Sequence, residues 1–147
     1  MTKELDEKLV AKYPKIFADR YGNMMETCMC WGFSCADGWY WLIDNLCHCI
    51  QNYIDSNKHL NIPQTVASQV KEKYGTLRFY TNGDVEMIHG MIWLAEHMSG
   101  HICEECGAEG EVEVVGGWYE CRCPKHSRLE SIKDEDVDFE EAFDGIT

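Results

Sequence analysis

The amino-acid sequence predicts an α+β fold, and three observations support that class. Apolar residues recur at helical spacing in two main segments, which predicts two amphipathic helices. Between them, two short extended runs flank a glycine turn, as is typical of a β-hairpin. A smaller hairpin is predicted beyond the last helix, between two Cys-rich turns. The chain is thus divided into an α+β body (residues 1–100), a hairpin module (101–126) and an acidic tail (127–147).

The first part of the chain predicts a short helix, an irregular segment and a long helix. The apolar residues of segment 4–13 recur at helical spacing, and Pro14 disfavours helical geometry in the residue before it. Residues 24–33 are rich in sulfur and aromatic side chains without a clear period, and we expect them to be irregular but buried. Asp37 is a candidate N-cap for the strongest helix, predicted over residues 39–57.

The second part predicts two hairpins with a helix between them. Residues 66–79 form two extended runs about a Tyr-Gly-Thr turn, and residues 85–98 repeat apolar side chains at helical spacing. Gly100 can end that helix. Residues 111–122 form two more extended runs about a Gly-Gly pair, which favours a two-residue β-turn.

Composition and charge argue against several classes of protein. No apolar stretch approaches the roughly 20 residues that cross a bilayer, and the charged first residues lack a signal-peptide core. We therefore expect a cytoplasmic protein whose nine cysteines are reduced. The formal net charge is −13, and the tail alone holds eight acidic and two basic side chains. Non-specific binding to nucleic acid is disfavoured, because it depends on clustered Lys and Arg.

Two Cys-rich turns predict a zinc site with Cys103, Cys106, Cys123 and His126 as its ligands. Tetrahedral Zn²⁺ prefers thiolate and imidazole, and a two-residue spacer lets both members of each pair face one centre. Four protein ligands leave no open position, so the ion is expected to be structural and the module to be a zinc-ribbon-like hairpin. Cys121 remains an alternative ligand or a neighbour of the site. A reduced core of buried thiols is the other interpretation, which the charged residues around the motif disfavour.

A second group of cysteines lies nearer the start of the chain and comprises Cys28, Cys30, Cys35, Cys47 and Cys49. Cys47 and Cys49 fall on different faces of the predicted helix and cannot easily bind one ion together. Because free cysteine is among the most buried residue types, core packing is the preferred interpretation. The alternatives are a second metal site and a reactive thiol beside His48, although no cation that would lower a thiol pKa is evident nearby.

The densest positive charges of the body form a candidate anion site. If Lys71 and Lys73 occupy one strand and Arg78 its partner, all three project from one face of the first hairpin, and Tyr80 shares that face. We call these four residues the basic face. It suits a phosphate or carboxylate, with Arg78 supplying a planar fork and Tyr80 stacking on a base. The alternative is that these cations pair with the surplus of surface carboxylates.

Four stretches of the chain are distinctive as a set. They are residues 35–40 (CADGWY), residues 70–80 (VKEKYGTLRFY), the CxxCG motif of residues 103–107 and residues 117–126 (GWYECRCPKH). Together they resemble a group of small proteins encoded by bacteriophages and prophages, over roughly residues 14–126. The resemblance implies a source and a bacterial host cytoplasm more than it implies a mechanism.

The resemblance also implies a non-enzymatic mode of action, because small phage proteins of this kind often occupy a host protein or sequester a host signal. The leading hypothesis is a zinc-binding protein that inhibits a host defence protein through its acidic and aromatic surfaces, or sequesters a nucleotide on the basic face. Trp41, which lies off the buried stripe to which Trp39 belongs, is a candidate partner contact. Core packing is the preferred interpretation, because most tryptophans are core residues. The alternatives are a zinc-hairpin module that binds nucleic acid or regulates transcription, and a thiol-dependent enzyme using Cys28, Cys30, Cys35 and His48.

Overall fold

The structure, a computed structural model, describes residues 1–129. This part of the chain is α+β, as predicted, with three α-helices, a three-stranded sheet and a separate two-stranded sheet. None of these helices is long and apolar enough to cross a membrane. The predicted acidic tail falls largely on residues 130–147, which lie outside the described residues. The elements in chain order are α1 (Lys3–Lys12), β1 (Phe33–Ser34), α2 (Tyr40–Ser56), β2 (Ala67–Lys73), β3 (Thr76–Thr81), α3 (Glu86–Ser99), β4 (Glu111–Val115) and β5 (Trp118–Arg122).

The three-stranded sheet is built on the predicted first hairpin. β2 and β3 pair antiparallel about Tyr74 and Gly75, whose φ angles of 53° and 78° are the left-handed values of a type I′ turn. β1 adds to the other edge of β2 in parallel, with Phe33 opposite Val70. Sequence analysis did not predict β1, because a strand of two residues shows no periodicity.

The core lies between this sheet and the helices. α3 packs against β3, and α2 packs against α3. The loop after α1 joins the same core, because the ring of Phe17 meets Phe33 edge-on at 5.0 Å and Phe79 at 6.3 Å between centroids. The predicted apolar stripe of α2 is confirmed at Leu42, Ile43, Leu46 and Ile50, which are buried. Cys49, which is also predicted in the stripe, is exposed, and Cys47 is buried instead.

The prediction that residues 24–33 are buried is wrong for most of the segment. Met25 is 87% exposed and Trp31 is 69% exposed, whereas Met29 is fully buried. A short 3-10 turn at Cys28–Trp31 directs Met29 inward and leaves its neighbours outside. Apolar composition without a period does not indicate which side chains face the core.

Asp37 does not cap α2 as predicted. A 3-10 turn (Asp37–Trp39) precedes the helix, and the side chain of Asp37 accepts a hydrogen bond from the N–H of Thr2 at 2.7 Å. Its carboxylate therefore ties the start of the chain to the entrance of α2.

Residues 36–39, which we call the docking segment, hold the C-terminal hairpin on the body. The N–H of Gly38 donates to the carbonyl of Glu104 at 2.7 Å, and Trp39 Nε1 donates to the carbonyl of Ile102 at 2.8 Å. The N–H of Ala36 donates to the Glu104 carboxylate at 3.0 Å. The loop that carries Cys103 therefore lies directly on the start of α2.

Substitution of Gly38 is expected to disturb this contact. A Cβ at Gly38 would clash with the carbonyl oxygens of Cys103 and Glu104, which are backbone atoms that cannot rotate away. We expect Gly38→Ala to lower the free energy of unfolding in urea by about 1–3 kcal/mol.

Gly90→Ala is the matched control for Gly38→Ala. Gly90 is exposed within α3, and a Cβ there would have no neighbour within 4 Å. Alanine should therefore raise the free energy of unfolding by about 0.5–1 kcal/mol, as expected inside a helix. Equal stability of the Gly38→Ala variant and the unsubstituted protein would contradict a close contact at the docking segment.

Candidate metal centre

Cys103, Cys106, Cys123 and His126 converge beside the second hairpin, as the sequence predicts. Their ligand atoms all lie within 4.8 Å of one another. The Cys123 Sγ to His126 Nδ1 distance is 3.3 Å, and Cys103 Sγ lies 3.6 Å from the same nitrogen. The Sγ atoms of Cys106 and Cys123 are 3.6 Å apart. Ligands around a tetrahedral zinc ion are separated by about 3.3–3.8 Å. These four residues can therefore hold one metal ion.

Two tight turns present the ligand pairs. In the first turn, the N–H of Gly107 donates to the carbonyl of Cys103 at 2.8 Å, and Gly107 has a φ of 79° that favours glycine. In the second, the N–H groups of His126 and Ser127 both donate to the carbonyl of Cys123 at 2.9 Å. Each pair of ligands is thus fixed by backbone hydrogen bonds within its own turn.

The surroundings favour thiolates at two of the three cysteines. Burial opposes ionisation of Cys103, but backbone N–H groups facing its sulfur lower its pKa below the ordinary value. Burial also opposes ionisation of Cys123, whose pKa is lowered by hydrogen bonds from the Cys106 thiol and from backbone N–H groups. The thiolate is the form that binds metal. Two of the three sulfur ligands are therefore favoured in the form that binds a metal cation.

An ionic network links the first turn to β5. The guanidinium of Arg122 lies 3.6 Å from the carboxylate of Glu104, 3.5 Å from that of Glu105 and 3.7 Å from that of Glu120. Burial raises the pKa of Glu104, and the Ala36 N–H and Arg122 oppose that rise. Arg122 immediately precedes Cys123, so this network holds the two ligand pairs in position.

Cys121 is not part of the cluster. Its side chain is fully buried in the hydrophobic core, and burial raises its pKa to about 11. Its neighbours in β5, Glu120 and Arg122, pair with each other on the opposite side of the strand, so Cys121 faces the core. The alternative in which Cys121 replaces one of the four ligands is not supported.

The second group of cysteines is dispersed. Cys35 and Cys47 are buried, whereas Cys28 and Cys49 are exposed, so the preferred interpretation of core packing holds for only part of the group. Within residues 1–129, no other set of His, Cys, Asp and Glu side chains is close enough to hold a metal ion. Burial raises the pKa of Cys35 to about 12 and that of Cys47 well above its ordinary value. These two thiols are therefore poorly suited to nucleophilic chemistry.

The register of β2 and β3 brings the basic face together. Lys71 is directly opposite Arg78, and Tyr80 is opposite Gln69. Residues that oppose each other, and those two apart on one strand, share a side of the sheet, so Lys71, Lys73, Arg78 and Tyr80 project from the same side. The buried residues Val70 and Phe79 point to the other side.

The cations of the basic face have no carboxylate partners in the described part of the chain. Within residues 1–129, none of Lys71, Lys73 and Arg78 takes part in an ion pair. Arg78 is held by its Nη1, which donates to Thr76 Oγ1 at 2.7 Å and to the carbonyl of Leu77 at 2.8 Å. The alternative interpretation, in which surface carboxylates pair with these cations, is therefore not supported within residues 1–129.

Exposed tryptophans are a further surface feature. Trp39 is fully buried, as predicted, whereas Trp41 is 62% exposed, so the preferred interpretation of core packing is wrong for Trp41. Trp93 and Trp118 are each 76% exposed, which the sequence analysis did not identify. The buried residues of α3, among them Ile92 and Ala95, recur at helical spacing, and Trp93 lies off that stripe. This offset is the sequence signal that places Trp93 on the exposed side of the helix.

Comparison with protein-family models found no match, and neither the curated proteins nor the solved structures gave one. The resemblance to bacteriophage proteins therefore stays a prediction. Inference about function depends on the metal centre and on the surfaces of this chain.

Proposed function

We propose that the protein is a non-enzymatic binding protein in which a structural Zn²⁺ ion holds a ribbon-like hairpin on the α+β body. Among the common cellular cations, zinc is the one that best suits three thiolates and one imidazole. These four ligands fill all four tetrahedral positions. No position is left for water or substrate, so the ion stabilises the hairpin and takes no part in chemistry.

The ligand that we propose is a small phosphate-bearing molecule such as a nucleotide, bound on the basic face. The observation that carries this proposal is the cluster of three cations on one side of a sheet, none of which forms an ion pair with a carboxylate of residues 1–129, in a chain of net charge −13. Lys71, Lys73 and Arg78 would donate charge-assisted hydrogen bonds to phosphate oxygens. The ring of Tyr80 is 40% exposed and can stack on a base.

A small ligand suits this face better than a nucleic acid. Three cations neutralise few phosphates, and the net charge of −13 on the whole chain opposes the binding of a longer strand. The zinc-hairpin alternative, in which the protein binds nucleic acid or regulates transcription, is disfavoured for this reason. The bacteriophage resemblance supports a signal nucleotide of a bacterial host as the ligand, and hence a role against host defence.

Arg78→Gln is expected to weaken nucleotide binding roughly 10- to 100-fold, because a hydrogen bond to a charged group contributes about 1.5–3 kcal/mol. Isothermal titration with adenosine and guanosine mono-, di- and triphosphates measures this affinity. Lys15→Gln is the matched control, because Lys15 is exposed, has no ion pair within residues 1–129 and lies outside the basic face. Absence of binding at millimolar nucleotide, or an equal loss in both variants, would refute the proposed site.

A further inference from the structure

β4 is an edge strand with an open groove beside it. The second sheet has two strands, so one edge of β4 pairs with β5 and the other faces a groove of about 610 Å³. His101, Pro124 and Leu129 form part of the groove wall. The edge is occupied just before β4 begins, because the N–H of Gly110 donates to the carbonyl of His101 at 3.0 Å.

The register identifies the backbone groups of β4 that face the groove. Val115 is opposite Trp118 across the Gly-Gly turn, and the residues that flank a two-residue turn form a hydrogen-bonded pair. Hydrogen-bonded and non-hydrogen-bonded pairs alternate along an antiparallel ladder. Val112 and Val114 therefore direct their N–H and C=O groups away from β5. Within residues 1–129, these outward groups bond to no other backbone group.

The two sides of this edge differ in chemistry. Glu111 and Glu113 alternate along β4 and lie on one side, while Val112 and Val114 lie on the other and are 40% and 51% exposed. Glu109 lines the start of the groove. Neither Glu109 nor Glu111 has a cationic partner within the described residues 1–129. The edge therefore combines unused backbone hydrogen-bonding groups, an acidic side and an apolar side.

We propose that the β4 edge binds an extended peptide segment of a partner protein in which basic and apolar residues alternate. The segment adds to the sheet as a third strand, through backbone hydrogen bonds to Val112 and Val114. Its basic side chains then lie beside Glu111, and its apolar side chains lie beside the two valines. The Glu113 carboxylate already accepts hydrogen bonds from Ser127 Oγ at 2.6 Å and from the N–H of Arg128 at 2.9 Å. The residues of this surface differ from those of the basic face, so the proposal stands whether or not a nucleotide binds there.

Charge argues against the two nearest alternative occupants. In a symmetric dimer through β4, glutamates of one copy would face those of the other, and like charges directly opposite each other are destabilising. Ser127 and Leu129 of the same chain already line the groove, and residues 130–147 beyond them hold eight acidic and one basic side chain, so they carry the same sign as the groove. A basic segment of another protein is the occupant that complements the groove.

The test uses the full-length, zinc-loaded protein and a short fluorescein-labelled peptide in which lysine and valine alternate. One control peptide has the same composition with its lysines in a block, and another has glutamate in place of lysine. Fluorescence anisotropy should show that the alternating peptide binds at least about tenfold more tightly than the block peptide, with no binding of the acidic peptide. Equal binding of the alternating and block peptides, or no binding at millimolar peptide, would overturn the proposal.

Two variants locate the binding surface. Val114→Pro removes an outward N–H without removing a ladder hydrogen bond, and Glu111→Lys reverses one charge of the acidic side. Each should weaken binding of the alternating peptide about tenfold. Glu26→Lys, an equal charge change at an exposed position outside the groove, should have little effect. If Val114→Pro fails to fold, the comparison of Glu111→Lys with Glu26→Lys still tests where the peptide binds.

Hydrogen exchange separates strand addition from loose electrostatic attachment. Saturation with the alternating peptide should increase the protection of the Val112 and Val114 amides more than that of Glu113, the ladder residue between them. Unchanged exchange at both valines would overturn the proposal, as would equal loss of binding in Glu26→Lys and Glu111→Lys. A dimer in size-exclusion chromatography that Val114→Pro abolishes would identify a second copy as the occupant and equally overturn it.

Discussion

Loss of one metal ligand is expected to destabilise the protein by at least about 4 kcal/mol, because a structural zinc site contributes its binding free energy to folding. Cys106→Ala is the most informative substitution, since Cys106 is an exposed member of the cluster and its removal sacrifices little packing. Without it, three ligands remain around an ion that requires four. Zinc content by elemental analysis and unfolding in urea measure the result.

Cys28→Ala is the matched control for Cys106→Ala. Cys28 is also an exposed free thiol, but it lies outside the cluster, so its replacement should change the free energy of unfolding by no more than about 0.5 kcal/mol and leave the zinc content unchanged. A strong chelator added to the unsubstituted protein should reproduce the effect of Cys106→Ala. If Cys106→Ala kept both its zinc and its stability, the proposed ligand set would be wrong.

Trp39→Ala is expected to lower the free energy of unfolding by about 3–5 kcal/mol, the cost of deleting a large buried aromatic side chain. Trp39 is fully buried, and its Nε1 donates to the carbonyl of Ile102 at 2.8 Å. Because Ile102 directly precedes Cys103, the substitution should also weaken zinc binding. Urea unfolding and competition for zinc with a coloured chelator measure both effects.

Trp41→Ala separates the role of Trp39 from a general effect of removing tryptophan. Trp41 lies two residues further along the chain and is 62% exposed, so its replacement should cost no more than about 0.5 kcal/mol. Similar losses of stability in the two variants would show that the contact between Trp39 and Ile102 does not fasten the hairpin to the body.

Local patterns account for the features that sequence analysis predicted. The helical stripe of α2 and the Gly-Gly turn between β4 and β5 depend on residues that are near neighbours in the chain. The two ligand pairs are recognisable for the same reason, because each is contained in a single short turn. These patterns can be recognised in the sequence without the tertiary structure.

The features that sequence analysis missed depend on contacts between distant residues. Gly38 lies against Cys103 and Glu104, more than sixty positions away in the chain, and no local pattern marks that contact. β1 forms only because β2 offers it an edge. That Lys71 and Arg78 form no ion pair with a carboxylate of residues 1–129 likewise depends on where those carboxylates lie in three dimensions.

X-ray absorption at the zinc edge of the purified protein tests the central claim most directly. A closed structural site predicts one zinc per chain, bound by three sulfur atoms at about 2.3 Å and one nitrogen atom at about 2.0–2.1 Å. Folded protein without metal, or a zinc ion that carries an oxygen ligand from water, would contradict it.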